Sequence, residues 1–387
     1  MKKIYMDYAA TSFPKPNCVI DAVVQYMQNN GTNSNRGNYA DAYKTASVIY
    51  ETRKKICKMF DLSEGEHVVF TQNITYALNM ILKGLLKKGD HVLVSSMEHN
   101  AVMRPLVQLQ KEGVSFSRIP CTTKGELLVE EMEPLLQNNT KAVVLTAASN
   151  VCGTMMPLKE VGKVCKKHNL IFIVDSAQIA GIFPISMEEM HIDVLAFTGH
   201  KGLLGPQGIG GFLMREHIAN VMKPLITGGT GSLSDSEEVP EFLPDKFEAG
   251  TLNIPGIYGL HASLSYLEEV GMEIIQQKEE ERLSQLLEGL RTIDGIIIFG
   301  KETTKDRVSV VSIQTDWMDE GELAFVLDEQ YGIMTRVGMH CAPNAHKTLG
   351  SFPRGTLRFS IGYQTTKEEI EMVIEALKKI KETQSIM

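Results

Sequence analysis

The sequence predicts an α/β protein, a doubly wound and mostly parallel sheet followed by a smaller α+β unit. Three observations predict it. Short apolar runs recur at 67–70, 91–94, 142–146, 170–174 and 194–197, and each is continuous rather than alternating, as in strands covered on both faces. Helical stretches separate most of these runs, at 74–87, 98–112 and 157–168. The pattern then changes near residue 256, where strands and helices no longer alternate regularly.

Taken in order, residues 17–29 place Val19, Ile20, Val23 and Val24, then Tyr26 and Met27, at helical spacing, and Asn29-Asn30-Gly31 stops the helix. Residues 41–59 form a second helix whose last turns carry Arg53, Lys54, Lys55 and Lys58, cations that suit the negative end of its dipole. The five strand runs and their helices follow. A polar, Gly-rich stretch at 227–253 reads as a functional loop, because structureless segments of that length are rare in compact domains. Beyond it come a long helical region at 257–291, strands at 296–299 and 308–313, a helix at 319–330 and a strand at 356–360. The final helix opens with the capping-box spacing Thr366-x-x-Glu369 and carries the apolar stripe Ile370, Val373, Ile374, Leu377 and Ile380. The expected division is a large domain over 15–255, with 1–14 and 256–387 forming the small one.

Composition narrows the function classes. The 387 residues hold 39 Lys and Arg against 47 Asp and Glu, a net charge of −8 that does not recruit phosphate backbones, so no nucleic-acid partner is expected. Six cysteines are scattered along the chain with no C-x-x-C pair, which argues against a metal centre and fits a reducing, cytoplasmic setting. The N-terminus lacks the apolar core of a signal peptide, and no run approaches the roughly 18 apolar residues of a membrane span.

Two strand ends carry chemistry. The run Val194–Phe197 leads into Thr198-Gly199-His200-Lys201, and ligands of open α/β sheets gather at such carboxyl ends. A lysine held there loses hydration and becomes a nucleophile or Schiff-base former; the alternative is a surface lysine in a turn. The run 170–174 leads into Asp175-Ser176-Ala177-Gln178. A carboxylate at the end of an apolar strand needs a partner, either a protonated ring nitrogen or the N–H groups of a following helix that it caps. A dinucleotide-type glycine loop is excluded at 199–211, since the glycines lack G-x-G-x-x-G spacing.

Seven pieces in order resemble the class V aminotransferase group of pyridoxal-phosphate (PLP) enzymes. They are Tyr5-Met6-Asp7-Tyr8-Ala9-Ala10-Thr11, Ser149-Asn150-Val151-Cys152-Gly153-Thr154, Asp175-Ser176-Ala177-Gln178, Thr198-Gly199-His200-Lys201, Phe247-Glu248-Ala249-Gly250-Thr251, Arg336-Val337-Gly338-Met339-His340-Cys341-Ala342-Pro343 and Leu357-Arg358-Phe359-Ser360. Within the group, the chain is similar to the cysteine desulfurases and selenocysteine lyases with a short cysteine loop. The resemblance implies the aspartate aminotransferase-like fold, type I of PLP enzymes, with PLP as cofactor and L-cysteine, or L-selenocysteine, as substrate. It also implies a homodimer with shared active sites and a sulfur-acceptor protein.

It implies roles as well. Lys201 is the expected Schiff-base lysine and proton-transfer base, Asp175 the partner of the ring nitrogen, Gln178 the neighbour of the phenolic oxygen, and His99 the residue stacked on the ring. Thr75 and His200 are expected to hold the phosphate, with Thr198 beside them and Gly250-Thr251 reaching a neighbouring subunit's phosphate. A helix start such as that at Thr75 suits an anion, although a plain threonine cap fits the same position. Asn150 faces the substrate side, Arg358 clamps the substrate carboxylate unless it serves an ion pair, and Arg336 and Arg36 are further substrate contacts. Cys341 is the expected sulfur acceptor, in a cationic setting made by Arg336 and His340 that favours the thiolate. The chain departs from the family pattern at Asn73-Ile74, where relatives carry a glycine and a small hydroxyl residue, and at Met339, where many carry histidine. An aminotransferase or β-lyase, and a protein whose role is to hand sulfur to an acceptor, are the competing readings.

Overall fold

The computed structural model describes residues 3–33, 37–63 and 65–384. After the short β1 (Ile4–Tyr5), seven strands build one sheet: β2 (Val68–Thr71), β3 (His91–Ser95), β4 (Ser115–Ile119), β5 (Thr140–Thr146), β6 (Ile171–Asp175), β7 (Val194–Thr198) and β8 (Gly210–Met214). Their order is β2-β8-β7-β6-β5-β3-β4. From β4 to β7 every pairing is parallel, whereas β8 runs antiparallel to both β7 and β2.

The continuous apolar runs are explained by two cores, one on each side of this sheet. Leu93, Val143, Leu145, Phe172, Val174, Leu195 and Phe197 face one core, and their neighbours Val92, Val94, Val144, Ile173, Val194 and Ala196 face the other. Helices α1 (Asn17–Gln25) and α2 (Ala40–Phe60) precede the sheet. Helices α3 (Ile74–Leu85), α4 (Asn100–Gln110), α5 (Leu158–Lys167) and α6 (Glu216–Val221) follow β2, β3, β5 and β8 in the chain. Among them α2 and α5 contribute to the first core, and α3, α4 and α6 to the second.

The helical region expected over 257–291 is two helices, α7 (Ile254–Val270) and α8 (Met272–Arg291). They are broken at Gly271, whose φ of 85° lies where a side chain would be strained. Helix α7 packs on α1 and α2, and α8 packs on the C-terminal helix. Then follow β9 (Ile296–Phe299), β10 (Val310–Thr315), α9 (Glu320–Tyr331), β11 (Ile333–Met334), β12 (Arg336–Gly338), α10 (Pro343–Leu349), β13 (Thr356–Ser360) and α11 (Lys367–Gln384). A second, antiparallel sheet runs β12-β13-β10-β9, and β11 pairs in parallel with β1, so the N-terminus joins this unit. The capping box is present: Thr366 N donates to Glu369 Oε2 at 3.1 Å and Glu369 N to Thr366 Oγ1 at 3.2 Å.

Two strands of the main sheet escape the periodicity reading. Strand β4 is an edge strand with exposed Ser115 and Arg118, too polar to register as an apolar run. Strand β8 starts Gly210-Gly211 because a Cβ at Gly211 would lie 2.3 Å from the carbonyl oxygen of Val69 on the neighbouring strand. The stretch 227–253 forms neither helix nor strand. Its end is anchored by Glu248, which is buried and accepts from Arg53 Nη1 at 3.0 Å, Arg53 Nη2 at 2.7 Å and Phe70 N at 2.6 Å. No helix among the described residues is long and apolar enough to cross a membrane. Removing one member of a buried ion pair leaves an uncompensated charge, so Glu248→Ala is expected to cost about 3–5 kcal/mol. Urea unfolding of the two proteins checks this; a change below about 1 kcal/mol would show that Arg53 finds another partner.

Candidate active site

Parallel strands point their carboxyl ends the same way, so β3, β5, β6 and β7 deliver their following residues to one edge. Strand β6 ends at Asp175, paired in register with Thr146 of β5 and Ala196 of β7. Strand β7 ends at Thr198, three residues before Lys201. His99 follows β3 as the N-cap of α4, and its Nδ1 accepts from Ala101 N at 3.0 Å. That bond fixes the tautomer, leaving the ring's proton on Nε2.

The electrostatics tie these residues together. Burial pushes the Lys201 amine down to about 8, with Arg358 and Arg336 pushing the same way and Asp175 and Asp7 opposing them. Asp175 is 3% exposed, and burial raises its carboxyl against the N–H of Ala177, which donates to Oδ1 at 2.9 Å, and the charge of Lys201. The helix expected after Asp175 is instead a turn, whose Ala177 N–H the carboxylate holds, and the charge of Lys201 acts on the same group. Burial and then Lys201 push His99 down to about 4, and His200 is likewise pushed down to about 4. Both imidazoles are neutral at pH 7.

Arg358, 2% exposed on β13, donates through Nη2 to Asp7 Oδ1 at 2.7 Å and through Nη1 to the carbonyl of Asn150 at 3.0 Å. The ion-pair alternative for Arg358 is thus observed, and its Nε is buried without a partner. Asn150 Nδ2 in turn donates to the carbonyl of His340 at 2.6 Å. The Cys341 loop closes onto α4: Asn100 N, next to His99, donates to the Cys341 carbonyl at 2.8 Å. Cys341 itself is exposed. His340 and Cys341 have φ of 46° and 57°, the left-handed region, which costs a non-glycine residue about 1–3 kcal/mol and persists where the surroundings enforce it.

The structure corrects the sequence reading in one respect and redirects two others. His340 does not supply a cation beside the thiol: it is buried, its Nε2 lies 2.9 Å from Thr356 Oγ1, and burial pushes it down to about 2. Of the expected pair, only Arg336 carries charge, exposed on β12 and opposite Arg358 in the ladder. Gln178 donates through Nε2 to the Ala9 carbonyl at 3.2 Å. Thr75 is exposed near the start of α3, where Asn73 provides the cap by accepting from Tyr76 N at 3.1 Å. Gly250 and Thr251 are exposed, just past the Glu248 anchor. Arg36 lies outside the described residues.

Three participants are given no role by the sequence. Asp7 pairs with a residue 351 positions away. Glu98 is 1% exposed, accepts from Thr146 N at 3.0 Å, and is pushed up to about 8 by burial. Lys15 donates to the Ser12 hydroxyl and the His200 carbonyl at 2.7 and 2.8 Å.

The residues fit PLP. Lys201 offers a desolvated amine for an aldehyde, Asp175 a carboxylate for a ring N–H, and the buried Thr198 Oγ1, which has no partner, a donor for an anionic oxygen. The Lys201 amine gives a direct test. In cofactor-free protein the rate of Schiff-base formation with PLP should rise with pH up to about 8 and level off above it, since the neutral amine is the nucleophile. A rate still rising toward about 10.4 marks an ordinary lysine.

The aminotransferase class-V family model matches residues 4–373. A protein of Methanothermobacter thermautotrophicus named probable cysteine desulfurase is 34% identical over 381 residues, covering 97% of this chain and 94% of its own length. The apo structure of a cysteine desulfurase from Thermococcus onnurineus superposes with a TM-score of 0.92 at 31% identity, over 98% of this chain and 95% of that one. The crystal structure of an Escherichia coli cysteine desulfurase in its S-sulfonic acid form gives 0.87 at 27% identity, over 98% and 95%. With a matching model over nearly its whole length and relatives of this kind, the chain belongs to the class-V aminotransferase family, among proteins that bear the name cysteine desulfurase.

Proposed function

We propose that this chain is a PLP-dependent cysteine desulfurase that converts L-cysteine to L-alanine and takes the sulfur onto Cys341. The observation that carries the reading is the docking of the Cys341 loop beside His99 at the same sheet edge that holds Lys201 and Asp175. Bound there, PLP supplies an electron sink for bond cleavage at the substrate's Cα and Cβ.

The remaining work belongs to the chain. Lys201, with its amine lowered toward neutrality, holds the cofactor and then accepts and returns the Cα proton. Asp175 would keep the ring nitrogen of PLP protonated, and Gln178 would meet its phenolic oxygen. Neutral His99, held in one orientation by Ala101 N, would cover the ring. Thr198, His200 and Thr75 take the phosphate, and Gly250-Thr251 of a second copy completes that pocket, which makes the active unit a homodimer. Arg358, whose Nε has no partner, takes the substrate carboxylate in place of the Asp7 carboxylate, with Asn150 and Arg336 around it. The Cys341 thiolate attacks the substrate sulfur; the carbon–sulfur bond breaks with its electron pair left on carbon, which is protonated to alanine. The persulfide on Cys341 then passes to an acceptor protein in the cytoplasm. In this arrangement residues 15–255 form the cofactor unit, and 1–14 with 256–387 the unit that carries the thiol.

Purified protein should show a Schiff-base absorption band that Lys201→Ala abolishes. Cys341→Ala should keep that band and lose at least about 100-fold in sulfide and alanine release from L-cysteine, the loss typical of a missing nucleophile or base. Unchanged release from Cys341→Ala would remove Cys341 as the acceptor. A panel of amino acids with product analysis separates desulfuration from transamination and reads the preference between cysteine and selenocysteine.

A further inference from the structure

Four donors converge on one carbonyl, that of His200, immediately before Lys201. Lys15 Nζ lies 2.8 Å from it, Ser12 N 3.0 Å, and the hydroxyls of Thr11 and Ser12 each 3.1 Å. The two lone pairs of a carbonyl are satisfied by fewer donors. Lys15 also donates to Ser12 Oγ at 2.7 Å, so the ammonium is held at two points. It sits between Pro14 and Pro16, whose fixed φ angles and restricted predecessors narrow the backbone conformations open to this stretch.

We propose that Lys15 is a positioning residue for Lys201, its ammonium locking the His200 carbonyl and so setting the direction in which the Lys201 side chain enters the site. The peptide unit is planar, and fixing its carbonyl therefore fixes the N and Cα of Lys201 on the other side. The clamp comes from the N-terminal arm, the same arm that pairs through β1 with β11 and through Asp7 with Arg358. A purely structural tie had neutral donors at hand in Thr11 and Ser12. Placing a lysine there desolvates a charge, and burial lowers it to about 8. The inference rests on Lys201 being the residue that bonds the cofactor.

The test compares Lys15→Met, Lys15→Arg and Lys201→Ala in the PLP-loaded protein and in the cofactor-free protein. Lys15→Met should still form the Schiff base, trapped on Lys201 by borohydride, but the pH midpoint of the absorption band should move by about one unit. The Lys201 amine of the cofactor-free protein, followed by NMR after ¹³C reductive methylation, should show a shifted midpoint too. Turnover should fall roughly ten- to hundredfold with KM within about twofold, the pattern of a misaligned reacting group, and Lys15→Arg should recover most of it. If Lys15→Met does not fold, Ser12→Ala, which removes the second anchor of the ammonium, reads the same midpoints. Midpoints unchanged from the parent protein, while Lys201→Ala abolishes the band, overturn the clamp and leave the Lys201 assignment standing. A band that survives in Lys201→Ala removes that assignment and the proposal with it.

Discussion

The guanidinium of Arg358 joins three parts of the chain at one point: β13, the N-terminal arm and the loop after β5. It is buried on β13, and a charge in that position is tolerated only because Asp7 and the Asn150 carbonyl meet it. Through Asp7 it fixes the N-terminal arm, and the arm reaches the peptide before Lys201. Through the Asn150 residue it fixes the loop after β5, whose side-chain amide holds the His340 carbonyl and with it the approach to Cys341. Lysine, thiol and small sheet are thus referenced to one planar group. A neutral side chain of the same length could fill the space but could not hold both acceptors.

Burial sets the protonation states around that group. His99, His200 and His340 are all pushed well below their ordinary value, with burial as the largest cause in each, and Glu98 is pushed up beneath them. At neutral pH the imidazoles are uncharged. Lys201, lowered to about 8, comes close to physiological pH from above, and so does Lys15 behind it. The imidazoles, uncharged throughout the neutral range, act through shape and hydrogen bonding.

Much of this was legible in the chain. The five apolar runs became β2, β3, β5, β6 and β7 because each must satisfy a core on either side, and a two-sided demand leaves a continuous apolar signature. Lys201 and Asp175 could be singled out because each follows such a run. Strand β8 was hidden by Gly210 and Gly211, which let the Phe197 and Val69 backbones approach and carry no hydrophobic signal. The pairing of Asp7 with Arg358 and the clamp of Lys15 on His200 were hidden for another reason: they are contacts between distant segments, decided by tertiary packing. The neutral state of His340 was equally out of reach, since the residue beside a cysteine reads as a cation until its burial is known.

The bond from Asn100 N to the Cys341 carbonyl gives the thiol loop and His99 a common mount. Asn100 opens α4 and His99 caps it, so a rotation of that helix would carry both together and leave their spacing intact. A swing of the loop alone would strip the first turn of the helix of one acceptor, which only water could replace. The left-handed turn at His340 and Cys341 is enforced from both sides, by Asn150 on the His340 carbonyl and by Asn100 on the Cys341 carbonyl.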